Sequence, residues 1–150
     1  MTTVAWDGVS LAADRMAVGN GSKWPCTKVF RCGKWVYGAT GSLARGILVS
    51  EWLRNGADRT QAPVFEKNDD DTDALGIAVN VQTRQAFLLE CRPWAFLPIE
   101  GDSFASGSGR DAARAAMLCG KTAKQAVLIA GEIDIGTGFG VDVIRIRRKR

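Results

Sequence analysis

The sequence has 150 residues, a usual size for one domain, so we expect a single domain spanning 1–150 with one main core. Hydrophobic residues make up 46% of the chain and charged residues 24%, a balance typical of a globular protein in water. No apolar run approaches the roughly 20 residues that a membrane-spanning helix needs, and the N-terminus lacks the pattern of a signal peptide. We therefore expect a cytoplasmic protein without membrane contact.

Histidine is absent from the chain, which excludes Ser-His-Asp and Cys-His catalysis. Any general base must therefore be a lysine, a carboxylate or the α-amine of the chain itself. Four cysteines are present without a Cys-x-x-Cys pair, and we interpret them as reduced, mostly buried thiols rather than metal or redox groups.

The formal net charge is +4, and much of it lies in a basic tail at residues 145–150. This tail is typical of a solvated chain end. Clustered Lys and Arg would also fit a phosphate contact, but no nucleic-acid-binding motif accompanies them. A nucleic-acid partner is therefore not predicted.

The first element in chain order is a hairpin over residues 3–13, turned at Asp7-Gly8. A two-residue turn there places Thr2 opposite Ala13 and brings Asp14 back beside the start of the chain. Because side chains alternate along a strand, Asp14 would point to the opposite face from Thr2. A bulge or a twist at the strand end would be needed to correct this.

The later elements alternate between hairpins and helices. A polar, Gly-rich loop is predicted at 16–26, and the acidic run at 69–71 is interpreted as solvated loop rather than metal site. In chain order the other elements are a hairpin at 27–31 and 34–40, a helix at 43–55, a surface excursion or short helix at 57–72, a hairpin at 74–81 and 85–91, an irregular stretch at 93–102, a strand at 104–106, helices at 110–119 and 122–133, and a strand at 141–146. This order predicts stacked antiparallel sheets covered by helices.

Several segments, in this order along the chain, carry a resemblance to a known family. They are Thr2-Thr3-Val4, Leu11-Ala12-Ala13-Asp14-Arg15, Thr27-Lys28-Val29-Phe30, Gly38-Ala39-Thr40-Gly41, Ala105-Ser106-Gly107-Ser108-Gly109 and Asp134-Ile135-Gly136-Thr137-Gly138. Together they resemble proteasome β subunits and their bacterial ATPase-dependent peptidase relative, which are N-terminal-nucleophile hydrolases. The resemblance implies an α+β fold, a four-layer αββα sandwich of two antiparallel sheets covered by helices.

The resemblance also implies a nucleophile at the start of the chain. Thr2 looks like the family's N-terminal threonine, exposed once Met1 is removed; its α-amine, with an intrinsic pKa of about 7.7–8.0, would act as the base. Asp14 and Lys28 look like the charged pair beside it, with Lys28 lowering the pKa of that amine. Without the resemblance, Asp14 is equally well a turn residue and Lys28 an exposed strand residue.

The remaining site residues come from two turns and the last loop. Gly41 is similar to the glycine whose backbone N–H binds the oxyanion, although the amide of Thr40 is an alternative. Ser108 looks like the serine that hydrogen-bonds the terminal amine, or it is merely a helix N-cap. Asp134 and Thr137 look like the residues that orient Ser108.

The function implied is a threonine-type peptidase or amidase that needs no metal or cofactor. We expect a homo-oligomer acting on a peptide or amide substrate, with Leu43, Ile47 and Trp52 on one helix packing against a neighbouring subunit or the chain's own core. Whether an ATPase partner exists is left open. The alternative is a catalytically silent structural or assembly subunit of the same fold that retains Met1.

Overall fold

A computed structural model describes residues 1–67 and 73–147 of the chain. The described residues form eleven strands, three α-helices and one turn of 3-10 helix. In chain order these are β1 (Thr3–Trp6), β2 (Ser10–Asp14), β3 (Met16–Gly19), β4 (Ser22–Pro25), β5 (Val29–Cys32), β6 (Trp35–Ala39), α1 (Leu43–Arg54), the 3-10 turn Arg59–Gln61, β7 (Ala74–Asn80), β8 (Ala86–Cys91), β9 (Trp94–Ile99), β10 (Phe104–Gly107), α2 (Arg110–Leu118), α3 (Ala123–Ile133) and β11 (Val141–Arg145).

Two antiparallel sheets stack face to face between helices. One sheet has the order β10-β1-β2-β11 and the other the order β5-β6-β7-β8-β9, while β3 and β4 form a separate hairpin. Buried hydrophobic residues fall into three clusters: between α1 and the five-stranded sheet, between the two sheets, and between the four-stranded sheet and helices α2 and α3. Three cores separate four layers, so the predicted α+β αββα sandwich is confirmed.

The strand β1 lies in the middle of this sandwich and is buried on both faces. Because side chains alternate along a strand, Val4 and Trp6 enter the core between the sheets, whereas Ala5 faces α2 and α3. Alanines dominate that outer core, and their small side chains let the helices approach the sheet closely. The start of the chain is thereby held in a rigid layer.

The predicted register of the first hairpin is wrong by two residues. Val4 pairs with Ala13 and Trp6 with Leu11, so Thr2 is not opposite Ala13. The Asp7 amide donates to the Ser10 carbonyl (3.3 Å), so the turn lies one position further along, at Gly8-Val9. The side chain of Asp7 accepts hydrogen bonds from the amides of Val9 (2.9 Å) and Ser10 (2.7 Å), which stabilises the turn at that position.

Two predicted irregular segments are strands instead. The stretch 16–26 contains the hairpin of β3 and β4, turned at Asn20-Gly21, where both residues have positive φ. The stretch 93–102 contains β9, which among the described strands pairs only with β8, at the edge of its sheet. An edge strand tolerates Pro98 because one side of its backbone has no neighbouring strand to bond.

The helix α1 agrees with the prediction for 43–55, and its apolar residues divide between an inner and an outer face. Trp52 packs in the chain's own core, while Ile47 and Leu48 are 43% and 47% exposed. The acidic run 69–71 and tail residues 148–150 lie outside the described residues. Among the described helices, none combines the length and apolar character of a membrane span.

The cysteines are only partly as predicted. All four are free, but Cys32 and Cys91 are buried whereas Cys26 is partly buried and Cys119 is exposed. Burial raises the pKa of the Cys32 and Cys91 thiols, which disfavours their reactive thiolate form.

Candidate functional site

The side chain of Lys28 joins the start of the chain to Asp14. Its Nζ donates to Thr2 Oγ1 at 2.9 Å and to both carboxylate oxygens of Asp14, at 3.1 and 3.2 Å. Lys28 immediately precedes β5, and its side chain is 3% exposed, so it is not an exposed strand residue. The long lysine side chain bridges the two strand faces, and the β1–β2 register needs no bulge to bring Asp14 into the site.

The buried Asp14 carboxylate has several further hydrogen-bond donors. The backbone amides of Thr3 (3.0 Å), Met16 (3.1 Å) and Gly138 (3.2 Å) all donate to it. Burial is the largest influence on the Lys28 ammonium and lowers its pKa below the ordinary value, while Asp14 and then Cys26 act in the opposite direction. The result is a compact, desolvated ion pair directly beneath the Thr2 hydroxyl.

A second set of hydroxyls and one carboxylate approaches Thr2 from the other side. The Thr2 amide nitrogen donates to Ser108 Oγ at 3.2 Å, and Ser108 Oγ donates to Asp134 Oδ2 at 2.6 Å. Thr137 Oγ1 also donates to Asp134 Oδ2 at 2.6 Å. The structure thus brings together Thr2, Ser108, Asp134 and Thr137 although up to 135 positions separate them in sequence.

These contacts change the pKa of the Asp134 carboxyl. Partial burial acts to raise the pKa of its carboxyl, but hydrogen bonds from Ser108, Thr137 and the Gly136 backbone outweigh it, so the pKa lies below its ordinary value of 3.8. Asp134 is therefore ionised at neutral pH. Ser108 does not cap α2, because Gly109 is the N-cap residue and no side chain caps that helix.

The turn before α1 distinguishes the two amides considered for the oxyanion. The Thr40 amide donates to the Leu75 carbonyl at 3.1 Å and is therefore occupied. The Gly41 amide has no hydrogen-bond acceptor among the described residues, and Gly41 has a φ of +75°, a conformation that favours glycine. Of the two, only Gly41 has an N–H free to meet a ligand.

Thr2 and Gly41 line the same cleft, which has a volume of about 860 Å³. Arg45 and Arg110 are its charged lining residues. Met1 also lines it and is 62% exposed, while Thr2 beneath it is 3% exposed. Removal of Met1 would therefore open Thr2 to the cleft and convert its peptide nitrogen into a free amine.

Sequence reasoning assigned no role to four groups that complete this site. They are the Thr3 hydroxyl, which lies 2.6 Å from Thr137 Oγ1, and the Thr3, Met16 and Gly138 amides that hold Asp14. For the Thr3 hydroxyl, the only indication in the sequence is its position next to Thr2. Backbone amides carry no sequence signal at all.

Comparison with protein-family models and with curated protein sequences finds no match. Solved structures do match over nearly the whole chain. BPH from Thiobacillus denitrificans in complex with epoxomicin has a TM-score of 0.72 and 19% identity, covering 97% of this chain and 100% of that one.

Two further structures agree with this likeness. Another structure of Thiobacillus denitrificans BPH has a TM-score of 0.68 and 18% identity, covering 99% of each chain. Eukaryotic HslV from Trypanosoma brucei has a TM-score of 0.64 and 20% identity, covering 96% of this chain and 97% of that one. At these identities the likeness establishes the fold, and the chain has the proteasome-type N-terminal-nucleophile hydrolase fold that its sequence resemblance implied.

Proposed function

We propose that the chain is a threonine-type peptidase or amidase whose nucleophile is Thr2, freed of Met1. The observation that carries the proposal is the pair of contacts on one residue: Lys28 Nζ lies 2.9 Å from Thr2 Oγ1, and Ser108 Oγ lies 3.2 Å from Thr2 N. A hydroxyl beside a buried cation and an amine beside a fixed acceptor are what an N-terminal nucleophile needs in a chain without histidine.

The reaction begins when Thr2 Oγ attacks the carbonyl carbon of the substrate and its proton passes to the Thr2 α-amine. The Gly41 N–H stabilises the oxyanion that forms, close to the positive end of α1. The ammonium then protonates the departing amine, the C–N bond breaks, and an ester to Thr2 remains. Water, deprotonated by the same amine, hydrolyses the ester and restores Thr2.

Lys28 and Asp14 set the charge at this centre. The Lys28 ammonium favours the unprotonated Thr2 amine at neutral pH and stabilises negative charge that develops on Oγ1. Asp14 keeps that cation in place in a buried site, since an isolated buried ammonium would be unfavourable. Ser108 and Asp134 hold the amine in position to take the proton.

The test is turnover of a fluorogenic peptide panel by protein shown by intact mass to lack Met1. A Thr2-directed electrophile should add one equivalent of mass at Thr2. The Thr2→Ala variant should lose both activities, whereas Thr60→Ala, a change in the exposed 3-10 turn, should lose neither. Labelling that persists in Thr2→Ala, or a correctly trimmed chain that neither turns over nor labels, would contradict the proposal.

Whether Met1 is retained distinguishes the proposed hydrolase from the alternative, a catalytically silent structural or assembly subunit. Met1 covers Thr2 and makes its nitrogen a peptide amide, which has no lone pair available as a base. We expect purified protein to begin at Thr2. N-terminal sequencing that reports quantitative Met1 would favour a structural or assembly subunit for that preparation.

We further propose that the chain forms a homo-oligomer through the outer face of α1. Val49, Trp52 and Leu53 of that helix pack inward, while Ile47 and Leu48 face outward and remain exposed beside Glu51. Adjoining exposed apolar side chains mark protein–protein contacts, so a second copy is the proposed cover of Ile47 and Leu48. Light scattering at micromolar concentration should report an assembly, and Ile47→Glu should shift it toward the monomer. A wild-type monomer at that concentration would contradict this.

A further inference from the structure

The hydroxyl of Thr3 is a fully buried polar group whose contact has no part in the reaction described so far. Thr3 is 0% exposed, and its Oγ1 lies 2.6 Å from Thr137 Oγ1, 134 residues later in the chain. The Thr3 backbone amide is already engaged with Asp14. The side chain of the residue next to the nucleophile therefore contacts the hydroxyl–carboxylate network, not the lysine–aspartate pair.

The directions of the hydrogen bonds follow from counting protons. A threonine or serine hydroxyl has one proton to donate, and an ionised carboxylate can only accept. Thr137 and Ser108 each lie 2.6 Å from Asp134 Oδ2, whereas the Thr2 carbonyl, the other acceptor near Ser108 Oγ, lies 3.4 Å away. Each hydroxyl therefore gives its proton to the nearer, charged Asp134. Thr137 Oγ1 can then only accept from Thr3, and Ser108 Oγ can only accept from Thr2 N.

We propose that Thr3 is a positioning residue. By donating to Thr137 Oγ1, the Thr3 hydroxyl makes Thr137 direct its own proton to Asp134. Asp134 is thereby held in the orientation in which it also accepts the Ser108 proton, so that this proton points away from the Thr2 amine. This inference rests on the proposed function of Thr2. The inference is that four hydrogen bonds have a fixed donor and acceptor. Thr3 donates to Thr137, Thr137 and Ser108 donate to Asp134, and Thr2 donates to Ser108.

The direction matters because the Thr2 amine must keep its lone pair free. If Ser108 rotated and donated to the amine nitrogen, that lone pair would be occupied and could not accept the proton from Thr2 Oγ. Donation from Ser108 would also disfavour the ammonium form and lower the pKa of the amine. A Ser108 held as acceptor leaves the lone pair available and stabilises the ammonium once it forms.

Gly109 has no side chain and so leaves the space in which the Thr3 and Thr137 hydroxyls meet. A Cβ placed on Gly109 would lie 2.1 Å from Thr3 Oγ1 and 3.1 Å from Thr137 Oγ1. The start of α2 is therefore pressed against both hydroxyls, and they have little freedom to take other directions.

The experiment compares Thr3→Val, which keeps the shape but removes the hydroxyl, with Thr3→Ser, which keeps the hydroxyl. We expect Thr3→Val to lower kcat about tenfold with KM unchanged, and Thr3→Ser to stay within about twofold of wild type. Ser50→Ala is the matched control, since Ser50 is a buried hydroxyl on α1 that donates to the Ile47 carbonyl, away from this network. It should leave kcat unchanged.

A double-mutant cycle tests whether Thr3 acts through Thr137. Thr3→Val should cause little additional loss in a Thr137→Val background, because the relay is already broken there. Additive losses, or a Thr3→Val enzyme with wild-type kcat, would overturn the proposal. An equal loss in Thr3→Ser would overturn it too, because the hydroxyl would then not be the active feature.

A titration separates this inference from the proposed function. The pKa of the Thr2 amine is followed by NMR of ¹³C-labelled threonine in Met1-free protein, which requires no turnover. Thr3→Val should lower that pKa relative to wild type, and Thr3→Ser should not. An unchanged pKa in Thr3→Val overturns the relay even if the enzyme is active, whereas a lowered pKa in a protein that never turns over supports the relay and contradicts only the hydrolase function.

Discussion

The replacement Lys28→Ala removes the cation between Thr2 and Asp14, and the buried ion pair in the structure sets the expected loss of stability. Breaking one side of a buried ion pair typically costs about 3–5 kcal/mol, because an uncompensated charge stays buried. Asp14 is 1% exposed but keeps three backbone N–H donors, which favours the low end, about 3 kcal/mol. For a chain of this size that corresponds to a fall in Tm of about 6–12 °C.

The same variant should lose about 100- to 1000-fold in turnover. Without Lys28 the pKa of the Thr2 amine rises and less free base is present at neutral pH, and the developing charge on Oγ1 loses its 2.9 Å partner. The assay is peptide turnover at a temperature where urea titration shows the variant to be folded. Lys23→Ala, in the exposed hairpin strand β4, is the matched lysine control and should change neither quantity.

A neutral double variant distinguishes catalysis from folding. Lys28→Met combined with Asp14→Asn removes both charges, so it should recover much of the stability lost in Lys28→Ala. Turnover should stay low, because the cation is still missing. Wild-type turnover in Lys28→Ala, or turnover that returns with stability in the double variant, would refute the electrostatic reasoning.

Three further predictions concern other parts of the site. Thr2→Ser keeps both the hydroxyl and the amine and should retain measurable turnover of the fluorogenic peptides, unlike Thr2→Ala. Gly41→Ala forces a side chain into φ +75°, so it should cost about 1–2 kcal/mol in urea unfolding and lower kcat more than it raises KM. Asp134 binds its proton at lower pH folded than unfolded, so its stabilisation is complete above pH 3.8 and is lost as pH falls through the folded-state pKa. Urea titrations between about pH 3 and 7 should therefore show Asp134→Asn less stable than wild type at neutral pH and converging with it in acid; a gap that does not change with pH would contradict this.

Errors in the predicted strands have local causes. The hairpin β3–β4 was missed because residues 16–26 are polar and Gly-rich, although Asn20-Gly21 is a strong two-residue turn signal. The strand β9 was missed because Pro98 argues against a central strand, and the sequence does not reveal that this strand lies at an edge. The register of β1 and β2 depended on which turn Asp7 makes with its own side chain.

The sequence by itself determined the order and type of most elements, because periodicity and turn residues act over a few positions. The spacing of helix α1 and its stop at Gly56, or the hairpin of β5 and β6, needs no distant partner to be recognised. The ordered segments around Thr2, Lys28 and Ser108 likewise indicate the fold through resemblance, without any knowledge of the contacts between them.

Tertiary structure alone decided how these residues meet. Thr2 reaches Ser108 across 106 positions and Thr3 reaches Thr137 across 134, contacts that no local pattern encodes. Burial of the Lys28–Asp14 pair follows from how the two sheets stack, and occupation of the Thr40 amide by Leu75 follows from the pairing of β6 with β7. A hydrogen bond or an ion pair depends on distances of a few ångströms, and in this chain those distances are set by strand pairing within each sheet and by packing between the layers.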